Sequence, residues 1–234
     1  MTEFRPSRFQ ILPLVIKNLL IINGLFFLAQ NTIGKQGIIN MDDLFALHTW
    51  QSPLFRPWQF VTHLFMHGGF DHIFSNMFAL WMFGSVLENL WGPKRFLTFY
   101  ISCGLGAAFC HMIVLYIESQ HLIQAFNSLD AFTQDAYRSR FMEKLNEATL
   151  GASGAVFGCL AAFGYLFPNT RIYLYFFVPV KAKWFVIFYA AFELYMAVAN
   201  SAGDNVAHVA HLGGALVGII LVYFWNKRNR RTFY

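Results

Sequence analysis

Four polar residues with the chemistry of acyl transfer stand near the starts of apolar segments. Ser153 lies in TLGASGAVFG, His72 and Asn76 lie in GGFDHIFSNMF, and His211 lies in NVAHVAHLGGALVG. A serine hydroxyl becomes a nucleophile when a neighbouring imidazole takes its proton. His and Asn side chains can donate hydrogen bonds to the negative oxygen that such an attack creates. These residue types indicate a hydrolytic site, provided that the fold brings three separate segments together.

The composition indicates that these segments belong to a membrane protein. Of the 234 residues, 57% are hydrophobic and only 12% are charged, whereas a soluble domain carries about 25% charged residues. The mean hydropathy is +0.45. The net charge of +5 does not favour nucleic acid as a partner, because the basic residues form short clusters between apolar runs. The predicted partner is therefore the lipid bilayer.

Six apolar runs are long enough to span a membrane, which takes about 17–25 residues. They cover residues 11–31, 70–91, 95–117, 150–167, 181–200 and 206–226. We therefore expect an all-α membrane protein with one six-helix domain over residues 11–226. A tail of residues 1–10 precedes it and a basic tail, 227–234, follows. An insertion at about 118–149 carries apolar residues at helical spacing, which predicts one or two amphipathic helices or else a plain connector.

The basic residues predict the orientation of the spans. Twelve of the 17 Lys and Arg residues fall on the side that holds both termini, so both termini should be cytoplasmic. Runs two, four and six then enter from the outer face, which places Ser153, His211 and the His72–Asn76 pair at one depth. The fourth run has 18 residues, or about 27 Å of helix against a hydrocarbon core of about 30 Å. Water would therefore have to enter a cavity to reach Ser153.

Paired glycines predict which of these helices touch. Small residues four positions apart let helix backbones approach closely in lipid. The pairs that follow the serine and the histidine are Gly154 with Gly158 and Gly214 with Gly218. Because runs four and six are parallel, the pairs can face each other and set the serine hydroxyl beside the imidazole. Alone, Ser153 is typical of a packing serine in a small-residue helix; the polar groups at the same depth favour a nucleophile.

In order and spacing, these motifs resemble those of the rhomboid intramembrane serine proteases. The resemblance covers roughly residues 50–226. Its four elements are GASG at Gly151–Gly154, AHLGG at Ala210–Gly214, HLFMHGGFDHIFSN at residues 63–76, and a GxxxE motif at Gly84–Glu88. In this register the catalytic histidine is His211 and not His208.

The resemblance implies an endopeptidase that cuts transmembrane protein substrates near the outer face, without a metal or another cofactor. Its dyad would be Ser153 and His211, with no required third acid. His72, Asn76 and the backbone N–H of Ser153 would form the oxyanion hole. The supporting residues would be Phe157, packed on the imidazole, and Gly151, Gly154, Gly214 and Gly218. The compact six-span layout suggests a bacterial inner membrane, and the oligomeric state stays open.

Two departures from the family pattern and two other functions remain to be weighed. The family commonly has Trp-Arg where this chain has Trp58-Gln59, which puts the anchoring of the first outer loop, residues 32–69, in doubt. The insertion is also longer than expected. The chain could also be an inactive rhomboid-like protein that binds and escorts transmembrane helices. A metal transporter or metalloprotease using the eight histidines has little support, because no H-E-x-x-H motif occurs.

Several polar residues within or near the spans have more than one interpretation. His208 is expected at the rim or as a cap. Glu193 is a buried, hydrogen-bonded carboxylate, a carboxylate that faces a water pocket, or a proton relay. Glu88 pairs either with nearby basic side chains or with backbone N–H groups. His63 and His67 either organise the loop by hydrogen bonds or bind a metal.

Overall fold

The computed structural model describes residues 9–34, 39–174, 177–199 and 207–229, which are mostly helical. The α-helices are α1 (Leu14–Ala29), α2 (Met41–Phe45), α3 (Gln59–Thr62), α4 (Phe70–Ala79), α5 (Ser85–Trp91), α6 (Pro93–Asn127), α7 (Ala131–Leu145), α8 (Ser153–Leu166), α9 (Ala182–Ala199) and α10 (His208–Asn229). π-Helical turns at Gln30–Gly34 and Leu80–Gly84 extend α1 and join α4 to α5, and a 3-10 turn covers His63–Phe65.

Helices occupy all six apolar runs. Among the described residues, four helices are long and apolar enough to cross a membrane, namely those at Leu14–Gly34, Pro93–Asn127, Ala182–Ala199 and His208–Lys227. The second run holds α4, its π-helical turn and α5, and the fourth holds α8, which has only 14 residues. The count of six spans and the cytoplasmic termini remain predictions. Residues 1–8 and 230–234, most of the two predicted tails, lie outside the described residues, as do positions 200 and 206 at the ends of two runs.

The third helix is longer than its apolar run. The prediction ended it near residue 117. Helix α6 instead has 35 residues in all and ends at Asn127, because no Gly or Pro interrupts residues 118–127. Helix α7 then packs back on it, with the rings of Phe126 and Phe141 stacked at 4.1 Å. The insertion is thus a helical hairpin, of which one arm continues the third helix and the other is a separate helix.

Two short antiparallel strand pairs make the fold not entirely α-helical. Strand β1 (Leu47–His48) pairs with β2 (Ala148–Thr149), and β3 (Arg171–Leu174) pairs with β4 (Val178–Lys181). Two-residue strands are too short to show an alternating pattern in sequence. The β1–β2 pair joins the first outer loop to the chain just before Ser153, and His48 Nδ1 lies 2.9 Å from the carbonyl oxygen of Asn146 beside it.

Helix α8 is the centre of the core, and ten of its 14 residues are buried. A helix that is apolar on all sides is stable only when other helices cover it. Helices α6 and α10 do so through small residues: Cys103 of α6 lies against Gly158 of α8, where an added Cβ would be 2.6 Å from the cysteine Cβ.

Glu88 of α5 holds the start of α1. Its two carboxylate oxygens accept the backbone N–H groups of Val15, at 2.8 Å, and Ile16, at 2.9 Å. Both N–H groups belong to the first turn of a helix, where they have no partner within the helix. Pro13, which precedes this turn, makes no side-chain cap. The second reading of Glu88, a partner for backbone N–H groups, is therefore the one that the structure shows.

Gln59 organises the loop between α1 and α4, the predicted first outer loop, although it stands where the family commonly has arginine. The side chain is fully buried. Its Oε1 accepts the backbone N–H groups of Arg56, at 3.0 Å, and His48, at 3.4 Å. Its Nε2 donates to the carbonyl oxygens of Leu54, at 3.0 Å, and Asp43, at 3.1 Å. The amide thus connects three stretches of the loop, which supplies the anchoring that the departure put in doubt.

Candidate active site

A turn at Gly151 precedes Ser153, which is the first residue of α8. The prediction began this helix at residue 150, but Gly151 has a φ of 127°, a conformation that breaks the helix and that glycine adopts without strain. Its N–H donates to the carbonyl oxygen of His63 at 2.9 Å, which anchors the turn to the outer loop. Ser153 therefore lies half-buried at a helix N-terminus.

The glycine pairs of α8 and α10 face each other, as their spacing predicted. A Cβ added to Gly214 would overlap the carbonyl oxygen of Gly154, and one added to Gly218 would lie 2.7 Å from that of Gly158. The two backbones are therefore in direct contact. No larger residue fits at Gly214 without separating the helices, and this close approach sets the distance between Ser153 and the first turn of α10.

Ser153 and His211 are hydrogen-bonded, with Ser153 Oγ 2.8 Å from His211 Nε2. The ring of Phe157, one turn along α8, stacks on the imidazole with centroids 4.2 Å apart and planes 6° apart. Tyr189 of α9 packs against Phe157 at 4.8 Å. The hydroxyl, the imidazole and the supporting ring thus stand as the sequence predicted, and the stacking restricts the plane of the imidazole.

A carboxylate that the sequence reading did not connect with the dyad lies behind the imidazole. Glu193 of α9 is only 3% exposed, and its Oε2 is 2.9 Å from His211 Nδ1 and 2.6 Å from His208 Nδ1. The rim position predicted for His208 is wrong, because the first turn of α10 packs against α9 and buries this imidazole. The available signal was Glu193 itself, since a carboxylate within an apolar span needs a partner.

Glu193, His208 and His211 also carry the kinds of side chain that bind metal ions. The ligand atoms of Glu193, His208 and His211 lie within 4.8 Å of one another, a grouping that could hold a cation. The separations of 2.6 and 2.9 Å from the carboxylate oxygen are, however, those of hydrogen bonds. His63 belongs to the loop instead, where its Nδ1 bonds the carbonyl oxygen of Gln59 at 2.8 Å.

His72 lies beside the turn that carries the serine. A Cβ added to Gly151 would be 2.8 Å from His72 Nε2 and 3.6 Å from Ser153 Oγ, so both groups border the same point and only glycine leaves it open. The ring of His67 packs edge-on against that of His72, with ring centroids 5.1 Å apart. Burial lowers the pKa of His67 to about 4, so this ring is neutral at pH 7.

Asn76 lies one turn beyond His72 on the same helix and is buried. Its Nδ2 donates one hydrogen bond to the carbonyl oxygen of His72 at 2.9 Å. An amide nitrogen carries two N–H groups, so a second donor remains for another acceptor. Within the described part of the chain, Asn76 makes no hydrogen bond to Ser153 or His211, and its place in the site rests on its position one helical turn from His72.

Comparison with known proteins places this site in a family. The family model described as the Rhomboid domain matches residues 55–228, about three quarters of the chain and all of the site above. The chain belongs to the rhomboid family. RHOMBOID-like protein 12, mitochondrial, of Arabidopsis thaliana is 30% identical over 209 residues, which cover 88% of this chain and 56% of the relative.

Two further rhomboid relatives show how widely the similarity extends. Rhomboid protein 1, mitochondrial, of Saccharomyces cerevisiae is 28% identical over 163 residues, covering 70% of this chain and 40% of the relative. Rhomboid protease GluP of Bacillus subtilis is 27% identical over 186 residues, covering 78% of this chain and 29% of the relative. The matched part of this rhomboid chain spans between 29% and 56% of the length of these three relatives.

Proposed function

We propose that the protein is an intramembrane serine endopeptidase that uses Ser153 as nucleophile and His211 as general base and acid. The observation that carries the proposal is the 2.8 Å hydrogen bond from Ser153 Oγ to His211 Nε2. It lies at the start of an apolar helix of a rhomboid domain. A serine and an imidazole in this geometry form the reacting pair of acyl transfer.

In the first step, Ser153 Oγ attacks the carbonyl carbon of the substrate peptide bond while its proton passes to His211 Nε2. The Oγ–C bond forms, and the π electron pair of the carbonyl moves onto its oxygen. The proposed donors to this oxyanion are the backbone N–H of Ser153, the His72 ring and the Asn76 amide. One such donor is typically worth about 3–4 kcal/mol in the transition state.

In the second step, the oxyanion pair returns to carbon and the C–N bond breaks. His211 passes its proton to the leaving amine, and the substrate remains as an ester on Ser153. Water then attacks the ester, its proton goes to His211, and the Oγ–C bond breaks as Ser153 regains the proton. The sum is hydrolysis of one peptide bond with enzyme unchanged, and the reaction balances without a metal or another cofactor.

The proposed substrates are transmembrane protein segments that enter from the bilayer. A helix satisfies its own backbone hydrogen bonds, so its carbonyl groups are shielded until it unwinds. Segments with helix-breaking residues and a small residue at the cut should therefore be preferred. The 14 residues of α8 give about 21 Å of helix against a core of about 30 Å, which favours a serine below the membrane surface.

The topology and the compartment belong to the same proposal. Six spans with both termini cytoplasmic would put the Ser153 end of α8 toward the outer face, where cleavage would occur. The bacterial inner membrane stays a prediction, because the relatives named above are mitochondrial as well as bacterial.

The experiment that tests this function is labelling of the detergent-solubilised protein with a fluorophosphonate probe, together with cleavage of a transmembrane-helix substrate. Wild type should react at Ser153, as identified by peptide mass spectrometry, and Ser153→Ala and His211→Ala should lose both labelling and cleavage. Ser128→Ala and His121→Ala, at exposed positions of the insertion, are matched controls that should keep both.

Persistent cleavage by Ser153→Ala would refute the mechanism. A folded wild type that neither labels nor cleaves would instead support the inactive, helix-binding reading of the family resemblance.

A further inference from the structure

The hydrogen bonds of His211 extend past the dyad to a shared carboxylate. Ser153 Oγ lies 2.8 Å from one nitrogen of the ring, Nε2. Glu193 Oε2 lies 2.9 Å from the other, Nδ1. Serine, imidazole and carboxylate thus stand in one continuous chain of contacts, although the motifs implied no third acid.

We propose that Glu193 is a positioning residue for the reaction, acting through His211. A carboxylate accepts hydrogen bonds and cannot donate one when ionised, so the 2.9 Å contact requires the proton of neutral His211 to sit on Nδ1. The lone pair of Nε2 is then directed at the serine hydroxyl. When Ser153 gives up its proton, the negative carboxylate stabilises the imidazolium that forms.

His208 holds the carboxylate in place. Its Nδ1 is 2.6 Å from the same oxygen, Oε2, that contacts His211. Taking an ionised carboxylate out of water is costly unless donors surround it, and here Glu193 is 3% exposed between two imidazoles that are each 8% exposed. The oxygen that faces His211 is therefore fixed by a second contact and cannot turn away at little cost.

The stacking and the carboxylate restrain different motions of the ring. Phe157 lies parallel to the imidazole at 4.2 Å and fixes the plane of the ring. That contact leaves a 180° flip about the Cβ–Cγ bond unrestrained, because the flipped ring keeps the same plane. Glu193 contacts Nδ1 and so favours the state in which Nε2 faces Ser153. Together the two contacts define both the plane of the imidazole and the edge that it turns to the serine.

Two simpler roles for the cluster make different predictions. A purely structural tie between α9 and α10 would affect the fraction of folded protein and not the turnover of the folded molecules. A metal site on Glu193, His208 and His211 would make activity depend on a bound cation. The positioning role predicts instead that the rate of the chemical step depends on the charge and length of residue 193 in the absence of any added cation.

The test compares wild type, Glu193→Gln and Glu193→Asp in cleavage of a transmembrane-helix substrate in proteoliposomes, with thermal unfolding measured in parallel. Glu193→Gln keeps the length of the side chain but removes the charge, and kcat should fall about 10³-fold, with KM changed less than threefold. Glu193→Asp keeps the charge, and its kcat should be at least tenfold higher than that of Glu193→Gln. Glu118→Gln, at an exposed position of α6, is the control and should match wild type.

A second readout does not depend on turnover. In protein with ¹⁵N-labelled histidine, the Nδ1–H proton of His211 should resonate far downfield in wild type and in Ser153→Ala. It should lose that shift in Glu193→Gln. His208→Leu should weaken the signal and lower kcat to a level between those of wild type and Glu193→Gln, because the carboxylate loses one of its two imidazole partners.

The proposal rests on the proposed function, and the outcomes separate the two. An active wild type with an equally active Glu193→Gln would overturn the positioning role alone. A wild type with no labelling and no cleavage would overturn the proposed function and this inference with it. Activity lost to a chelator and restored by Zn²⁺ would assign the three side chains to a metal and overturn the positioning role.

Discussion

Two buried glutamates of this protein have nearly the same exposure and the same number of hydrogen bonds, but their partners differ. Glu88 and Glu193 are each 3% exposed. Glu88 accepts two backbone N–H groups at 2.8 and 2.9 Å, one on each oxygen. Glu193 contacts two imidazoles at 2.6 and 2.9 Å, both on one oxygen.

The difference between the partners decides what each carboxylate can do. A backbone N–H has no second protonation state, so the contacts of Glu88 can only hold α1 in place. An imidazole can take up and release a proton, so the contacts of Glu193 can also influence a reaction. Burial and bond count alone would not separate these roles. We therefore expect Glu193 and the polar residues proposed to act on the substrate to control turnover, and Glu88 to control stability.

The largest effect on turnover outside the dyad and Glu193 should come from Asn76. Asn76→Ala removes a proposed oxyanion donor, and kcat should fall about 10²- to 10³-fold, or about 3–4 kcal/mol. Some activity should remain because the other donors stay. Cleavage kinetics and thermal unfolding, measured together, check this prediction. Asn76 would belong with Glu88 as a structural residue if Asn76→Ala unfolded the protein and left the turnover of the folded fraction unchanged.

Glu88→Ala, in contrast, should destabilise the fold without slowing the chemistry. Two buried N–H groups of α1 would lose charge-assisted hydrogen bonds, which should lower the free energy of unfolding by about 3 kcal/mol. Glu88→Gln, with one acceptor in place of two, should lose less. Denaturant titration in detergent gives the stability, and probe labelling of folded protein gives the activity. A large fall in labelling at unchanged stability would contradict the contrast.

Gln59 is a buried neutral side chain that makes more hydrogen bonds than either glutamate. Gln59→Met keeps most of the side-chain volume but leaves buried backbone groups of the outer loop without partners, which should cost about 2 kcal/mol. Gln124→Met, at an exposed glutamine of α6, is the control. Thermal unfolding should separate the two variants. Equal stability would mean that the loop does not depend on Gln59.

The smallest effect should come from the ring that supports His211. Phe157→Tyr restores the residue that the family often has and keeps the stacked ring, so kcat should stay within about threefold of wild type. Phe157→Ala removes a contact of about 0.5–1.5 kcal/mol and should slow turnover by up to about tenfold. Equal rates for Ala and Tyr would show that the hydrogen bonds alone hold the imidazole.

Much of the fold could be read from local patterns. The apolar runs predicted where helices occur because membrane-length helices need continuous hydrophobic sequence. The boundaries of α6 and α8 could not be predicted in this way. One helix continues beyond its apolar run through residues 118–127, where α7 packs on it, and the other begins only at Ser153 because Gly151 takes a positive φ. The β1–β2 pair joins residues about 100 positions apart, which no local pattern reveals.

Residue type and spacing were enough to predict the dyad candidates, the glycine pairs and the rhomboid resemblance. The contacts of four other polar residues depend on the fold instead: Glu193, His208, Glu88 and Gln59. Each has several chemically possible partners, and the choice depends on which helices and loops lie side by side. The close contact of α8 with α10 and the packing of α9 beside them make that choice for Glu193, so its link to His211 is a property of the fold.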